Sequence, residues 1–276
     1  MMRPASGVSR RINAERLLLI AWLRAILLQF AHPLIAAGVA DHSTFRGSPM
    51  AAFGRLRHTV KAMLALTFGN EVERQAALDG IRAIHRRVNG VLPVTCGRFT
   101  AGTGYSAEAS ALLTWVHATL IESMVLVYEQ LVSPLTPDER DRYCEDAAEF
   151  AVALGAAPDE VPRSWAAVRI YLEHRYESGE IVVGQQALTL AASLLSPVRP
   201  KLLVTPAVST LAAGLLPVSV RAQYGFPWNR QRERWFRRTI AFLRFSRRVL
   251  PLSFTQWRSA RMVDGMTIRH DYSAAR

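Results

Sequence analysis

A single histidine, His117, lies in the middle of a long apolar stretch between residues 106 and 131. Helical periodicity places it on one stripe with Leu113, Val116, Leu120 and Met124. Because a helix that is apolar on nearly every side belongs inside a bundle, we expect the imidazole to be buried. A buried imidazole either makes a structural hydrogen bond or binds a ligand, and the residues alone leave both alternatives open.

Arg82, His85 and Arg86 form a second group that could take part in chemistry. They border the predicted inner face of a helix over residues 70–89, which holds Leu78, Ile81, Ile84 and Val88. Such a polar border is either a solvated rim or part of a site.

Two further histidines lie near the N-terminus. His32 precedes Pro33, so we expect it at the end of the first helix, facing a loop. For His42 the sequence predicts an ordinary loop histidine.

The sequence lacks the motifs of several common classes of enzyme and cofactor-binding protein. No glutamate has a histidine three residues later, as carboxylate-bridged di-iron bundles require, and there is no GxSxG, HExxH or P-loop. Gly102, Gly104 and Ala107 spell GxGxxA, but the strand and the acidic residue of a dinucleotide site do not follow. Cys96 and Cys144 form no metal or haem-attachment spacing, which favours a reducing cytoplasm. A lone buried histidine would instead suit non-covalently bound haem.

The chain is basic, with 34 lysines and arginines against 22 acidic residues. Eight arginines fall within a predicted amphipathic helix over residues 228–250. Such a helix suits an anionic membrane surface, and a solvated face is the equal alternative. We expect no nucleic-acid partner, because no recognised reading module accompanies the charge.

Two apolar segments bear on localisation. Residues 17–23 are flanked by charges that argue against a cleaved signal, and residues 202–220 contain Pro206 and Pro217, which make a poor membrane span. We therefore expect a cytoplasmic protein that could attach peripherally to a membrane.

The remaining pattern predicts one all-α domain over residues 1–276, with 1–11 and 266–276 disordered. Residues 36–43 read as a close-packed turn and 214–228 as irregular. Capping boxes at Asn70 and Thr136 each open a helix. The other predicted helices cover residues 15–31, 48–68, 106–131, 161–176, 180–195 and 228–250.

Five stretches of the chain resemble the rubber oxygenase family, the latex-clearing-protein catalytic domain that also includes the membrane-bound oxygenase of mycophenolate biosynthesis. The segment around His117 reads YSAEASALLTWVHATLIES. The matching stretches are residues 12–45, 55–70, 81–90, 105–123 and 215–228. In order, they span most of the chain.

The resemblance implies an all-α bundle enclosing a haem b pocket, with His117 as the proximal iron ligand. Rubber-cleaving members carry an Arg-x-x-Lys-Thr group on the distal side, and the matching positions here are Arg82, His85 and Arg86. The loss of lysine and threonine argues against rubber cleavage and leaves haem binding standing. His85 would then be a second iron ligand or a distal acid or base, with Arg82 and Arg86 supplying charge to peroxide or to a propionate. His32 is a weaker cofactor-binding candidate.

Three hypotheses follow. The first is a haem-dependent oxygenase that uses dioxygen or peroxide on a small apolar substrate, such as a lipid or terpenoid. The second is a non-enzymatic haem carrier or redox sensor with both His117 and His85 on the iron. The third is a cofactor-free helical protein at the membrane periphery.

Overall fold

The computed structural model describes residues 5–42, 49–195 and 206–260, without the side chains of 49–58 and 206–208. Within these ranges the chain forms helices and one two-stranded sheet. The predicted all-α class is confirmed, and the predicted tail over 266–276 lies outside the described residues.

The N-terminal elements are helix α1 (Gly7–Asn13), a 3₁₀ helix (Arg16–Leu18), α2 (Leu19–Phe30) and α3 (Pro33–His42). Residues 7–11 are thus helical where we expected disorder. Pro33 ends α2 as predicted, but it begins α3 where residues 36–42 were expected to form a turn. Small residues let α3 pack closely, since a Cβ on Gly38 would lie 3.2 Å from Val88 Cγ1.

Helix α4 (Pro49–Phe68) and α5 (Glu71–His85) follow, then an antiparallel pair of strands, β1 (Asn89–Val91) and β2 (Gly104–Ser106). The capping box of α5 is confirmed: Asn70 accepts from the Glu73 amide, and Glu73 accepts from the Asn70 amide. The predicted extension of this helix to residue 89 is wrong, because Asn89 and Gly90 pair with β2. Ile84, expected on the inner face, is 57% exposed.

The second half of the core contains α6 (Ser110–Leu131), α7 (Pro137–Ala153), α8 (Trp165–Glu177) and α9 (Gln185–Leu195). The capping box that opens α7 at Thr136 is also confirmed. α6 begins four residues later than predicted because β2 uses the residues before it. α8 and α9 also begin late: Ser164 caps α8, and Glu180 lies in a loop where it pairs with Arg98 and Arg175.

The C-terminal elements are α10 (Pro206–Leu215), α11 (Val218–Gln223), α12 (Arg230–Val249) and the short α13 (Leu252–Thr255). The predicted irregularity around Pro217 separates α10 from α11, so residues 206–220 are not one helix; 202–205 lie outside the described residues. The predicted basic helix is α12, which Asn229 caps.

α6 is the centre of the bundle. It carries 15 buried residues and packs against α2, α7, α8 and α12. α6 is also the one helix in the described ranges that is long and apolar enough to cross a membrane, and 72% of that window is buried in the protein. A second candidate, the 3₁₀ helix with α2 followed by α3, is bent by 104°.

α1 fastens two of the surrounding helices to each other. Ser9 Oγ donates to Asp146 of α7 at 2.7 Å, and Tyr143 of the same helix donates to Asn13 Oδ1 at 3.0 Å. Asn13 in turn donates through Nδ2 to Thr67 Oγ1 of α4 at 3.1 Å. One asparagine therefore links α7 and α4.

Candidate functional site

His117 is buried in α6, with 8% of its surface exposed. Its Nε2 atom is buried and has no hydrogen-bond partner among the described residues. Burial, assisted by the positive charge of Arg163, lowers the pKa of His117 to about 4. The imidazole is therefore neutral at physiological pH, and Nε2 is not engaged in a structural hydrogen bond.

The apolar stripe around His117 is incompletely covered by the rest of the protein. Leu113, one turn earlier, is buried against α7 and the loop that follows it, in a cluster with Ala151 and Ala156. Met124, two turns later, is also buried. Val116 and Leu120, between them on the same stripe, remain half-buried. The apolar stripe is therefore partly exposed beside the histidine.

Arg82 and His85 lie on the last turns of α5. Arg82 donates to the carbonyl of Ala153, at the end of α7, through Nη2 and through Nε at 3.0 Å. Its Nη1 atom lies 3.3 Å from Asp79 Oδ1. Because Ala153 is flanked by the residues that cover Leu113, Arg82 is held near the first turns of α6. The structure thus gives Arg82 a structural role that the sequence did not predict.

His85 resembles His117 in its chemistry. Its Nδ1 atom is buried without a hydrogen-bond partner among the described residues, and burial lowers its pKa, against the opposing charge of Glu108. Arg86, the next residue, is exposed at the end of the helix. Of the three predicted residues on this helix, His85 is therefore the one with an available buried ligand atom.

His32 shares two properties with His117: its Nδ1 atom is buried without a hydrogen-bond partner among the described residues, and burial lowers its pKa to about 4. It is 4% exposed between α2 and α3, and its ring lies 5.2 Å from that of Phe99 and 6.4 Å from that of Trp115. Trp115 precedes His117 by two residues, which places the two side chains about 200° apart around α6. The structure therefore places His32 and His117 at different faces of the helix. His42 ends α3, exposed, with Nε2 2.9 Å from the carbonyl oxygen of Asn89.

The face of α6 that carries Trp115 holds a buried polar network that the sequence analysis missed. Arg24 of α2, 1% exposed, forms an ion pair with Glu122, 5% exposed. It also donates to Ser123 Oγ at 2.6 Å and to the carbonyl of Leu215 at 2.8 Å. The only sequence signal was the presence of a charge within each of two apolar helices. The network is satisfied, so it serves the packing of α2 on α6.

These observations bear on which cofactor the residues could hold. No group of three or more potential metal-ligating side chains occurs in the described part of the chain, so a metal ion held by several residues has no candidate there. Haem iron needs only one neutral imidazole nitrogen from the protein, and His117 can supply it.

One small cavity lies close to α6. It has a volume of about 30 Å³ beside Met124, between α2, α4 and α6, and His117 does not line it. That volume holds about one water. This cavity is therefore not the space in which His117 would meet a ligand.

Comparison with known proteins identifies the family. No curated protein and no solved structure matches the chain. The family model described as "ER-bound oxygenase mpaB/B'/Rubber oxygenase, catalytic domain" matches residues 9–245, which include all of α2 to α11 and most of α1 and α12. With this match over nearly the whole chain, the protein belongs to the mpaB and rubber oxygenase catalytic-domain family.

Proposed function

We propose that the protein is a haem-b-dependent oxygenase that acts on a small apolar substrate with dioxygen or peroxide. Family membership supports the oxygenase class. The observation that carries the haem assignment is the buried, neutral His117, whose Nε2 has no hydrogen-bond partner among the described residues. Haem b, when bound, supplies the redox chemistry that activates the oxidant.

His117 would hold the iron from α6, while the half-buried Val116 and Leu120 would contact the porphyrin plane or the substrate. Neither side chain offers a polar group, which favours an apolar substrate such as a lipid or terpenoid. Arg163 is the cation whose charge reaches His117, and it pairs with Glu149 at 2.7 Å, so a propionate would have to share or replace that partner.

His85 would provide the proton-transfer group. The neutral imidazole is the form that can accept a proton, and burial lowers the pKa of His85, which keeps it in that form at physiological pH. Arg82 would position this group, because its hydrogen bond to Ala153 fixes the end of α5 against α7. Arg86, exposed at the end of the helix, could add positive charge at the opening of the site.

The test is an absorption spectrum of protein expressed with a haem supply. We expect a Soret band and one haem per chain, and we expect His117→Ala to lose both. His42→Ala is the matched control, because His42 is an exposed histidine that should leave the spectrum unchanged. A colourless wild-type protein, or a His117→Ala variant that keeps its haem, would refute the proposal.

A second candidate function is a non-enzymatic haem carrier or redox sensor with two histidines on the iron. It is favoured by one observation: within the part of the chain that the structure describes, both His117 Nε2 and His85 Nδ1 are buried without hydrogen-bond partners. A reduced protein that stays six-coordinate and does not react with dioxygen would select this function over the oxygenase.

A further inference from the structure

Helix α12 presents an exposed aromatic stripe to solvent. Trp235, Phe242, Phe245 and Val249 are 52%, 66%, 63% and 60% exposed. At about 100° per residue they fall within one sector of about 80°. The stripe continues past the helix end into Leu250, Leu252 and Phe254, which are also exposed. This segment holds every exposed phenylalanine and tryptophan among the described residues.

The opposite face of α12 is fixed to the bundle. Phe236, Ile240 and Leu243 pack against the core. Arg247 binds the buried carboxylate of Glu15 through two hydrogen bonds, at 2.6 and 2.7 Å. The helix therefore cannot rotate to hide its aromatic stripe, and these side chains stay exposed in the folded chain.

Arginines lie along and beside the stripe. Of the eight arginines in α12, six have no ion pair within the described residues; Arg237 pairs with Glu233 and Arg247 with Glu15. Arg234, Arg244 and Arg248 share one edge of the exposed face, and Arg238 lies within the aromatic sector. Unpaired cations beside exposed aromatic rings suit the boundary between lipid head groups and acyl chains.

We propose that this surface, Trp235 to Phe254, docks the protein onto an anionic phospholipid membrane, with α12 lying parallel to the membrane plane. The chain's net charge of +12 favours the same partner. A second copy of the chain fits less well, because a symmetric contact would bring two arginine-rich edges together. Nucleic acid would leave the aliphatic residues at the helix end without a partner. The proposal does not depend on haem.

Flotation of the full-length protein with vesicles tests this surface. We expect binding to phosphatidylcholine vesicles that contain about one third phosphatidylserine, little binding to pure phosphatidylcholine, and weaker binding at high salt. The double variant R234Q/R244Q should lower the partition coefficient by about 25-fold, at about fivefold per arginine. The matched control R87Q/R142Q removes two exposed arginines that are far from α12 in the sequence, and it should bind like wild type.

The aromatic side chains are tested separately. The triple variant W235S/F242S/F245S should reduce vesicle binding by more than about tenfold, because the rings no longer enter the membrane. Its circular dichroism spectrum should match wild type, since these side chains are exposed. Equal binding to neutral vesicles, or equal losses in the control variant, would overturn the proposal.

Two other outcomes would identify a different partner and also overturn it. One is a dimer, seen by sedimentation velocity, that the triple variant abolishes while vesicles do not bind. The other is binding of an oligonucleotide through α12 without binding of vesicles.

Discussion

Removing Glu122 would leave Arg24 buried without a counter-charge. The guanidinium is 1% exposed and would keep only its hydrogen bonds to Ser123 and to the carbonyl of Leu215. Breaking one partner of a buried ion pair typically costs about 3–5 kcal/mol. Against a total stability of about 5–15 kcal/mol, Glu122→Leu should lower the melting temperature by about 6–20 °C.

A double variant separates the cost of an unpaired charge from the value of the pair. Arg24→Met with Glu122→Leu removes both charges and fills the space with apolar side chains, so it should recover most of the lost stability. Ser123 keeps a partner in this variant, because its hydroxyl also donates to the carbonyl of Thr119. Arg169→Gln is the control: its guanidinium lies 3.8 Å from Glu122 but is 60% exposed, so the change should stay below about 1 kcal/mol.

Urea unfolding, followed by far-ultraviolet circular dichroism, measures the free energy of unfolding of each variant. The values are compared between variants whose free energy falls with urea concentration at the same slope as in wild type. The reasoning is refuted if Glu122→Leu unfolds within about 1 kcal/mol of wild type. It is also refuted if the double variant is as unstable as Glu122→Leu alone.

Three further predictions concern the histidines and one helix cap. The pKa of His117 in the folded chain, about 4, lies below the ordinary 6.5, so the unfolded chain binds more protons between these two values. The free energy of unfolding should therefore fall as the pH drops from 6.5 to 4. Urea titration of the His117→Gln variant should show a less steep fall. In haem-loaded protein, His85→Ala should change the iron spin state seen in the absorption spectrum, whereas His32→Ala should leave it unchanged. The reverse result would assign the position near the iron to His32 instead of His85. Thr136→Ala should cost about 1 kcal/mol in thermal unfolding while Thr136→Ser costs little, because the hydroxyl accepts from the Glu139 amide.

Local signals in the sequence predicted the helices whose ends are determined by neighbouring residues. Asn70 and Thr136 cap α5 and α7 through contacts three residues away, and Pro33 ends α2 by its own ring. Element ends that depend on contacts between residues far apart in the sequence could not be predicted in this way. Asn89 and Gly90 have the composition of a helix stop, yet their partners are Ser106 and Tyr105 in a strand pair that no local pattern reveals.

The sequence predicted the candidate site only in part, for the same reason. The stripe around His117 follows from periodicity, so its burial could be predicted, but the absence of a partner at Nε2 could not. Arg82 illustrates the difference: its type and position suggested a ligand role, and its hydrogen bond goes to a carbonyl 71 residues away. Arg163, whose charge acts on His117, comes from a loop that shares no motif with α6.

The hydrogen bond from Asn13 to Thr67 makes one side chain the junction of helices that are far apart in the sequence, because Asn13 also accepts from Tyr143 of α7. Truncation of this residue to alanine would remove both contacts at once. The α4 segment should then open more often, and limited proteolysis would detect this as faster cleavage within α4.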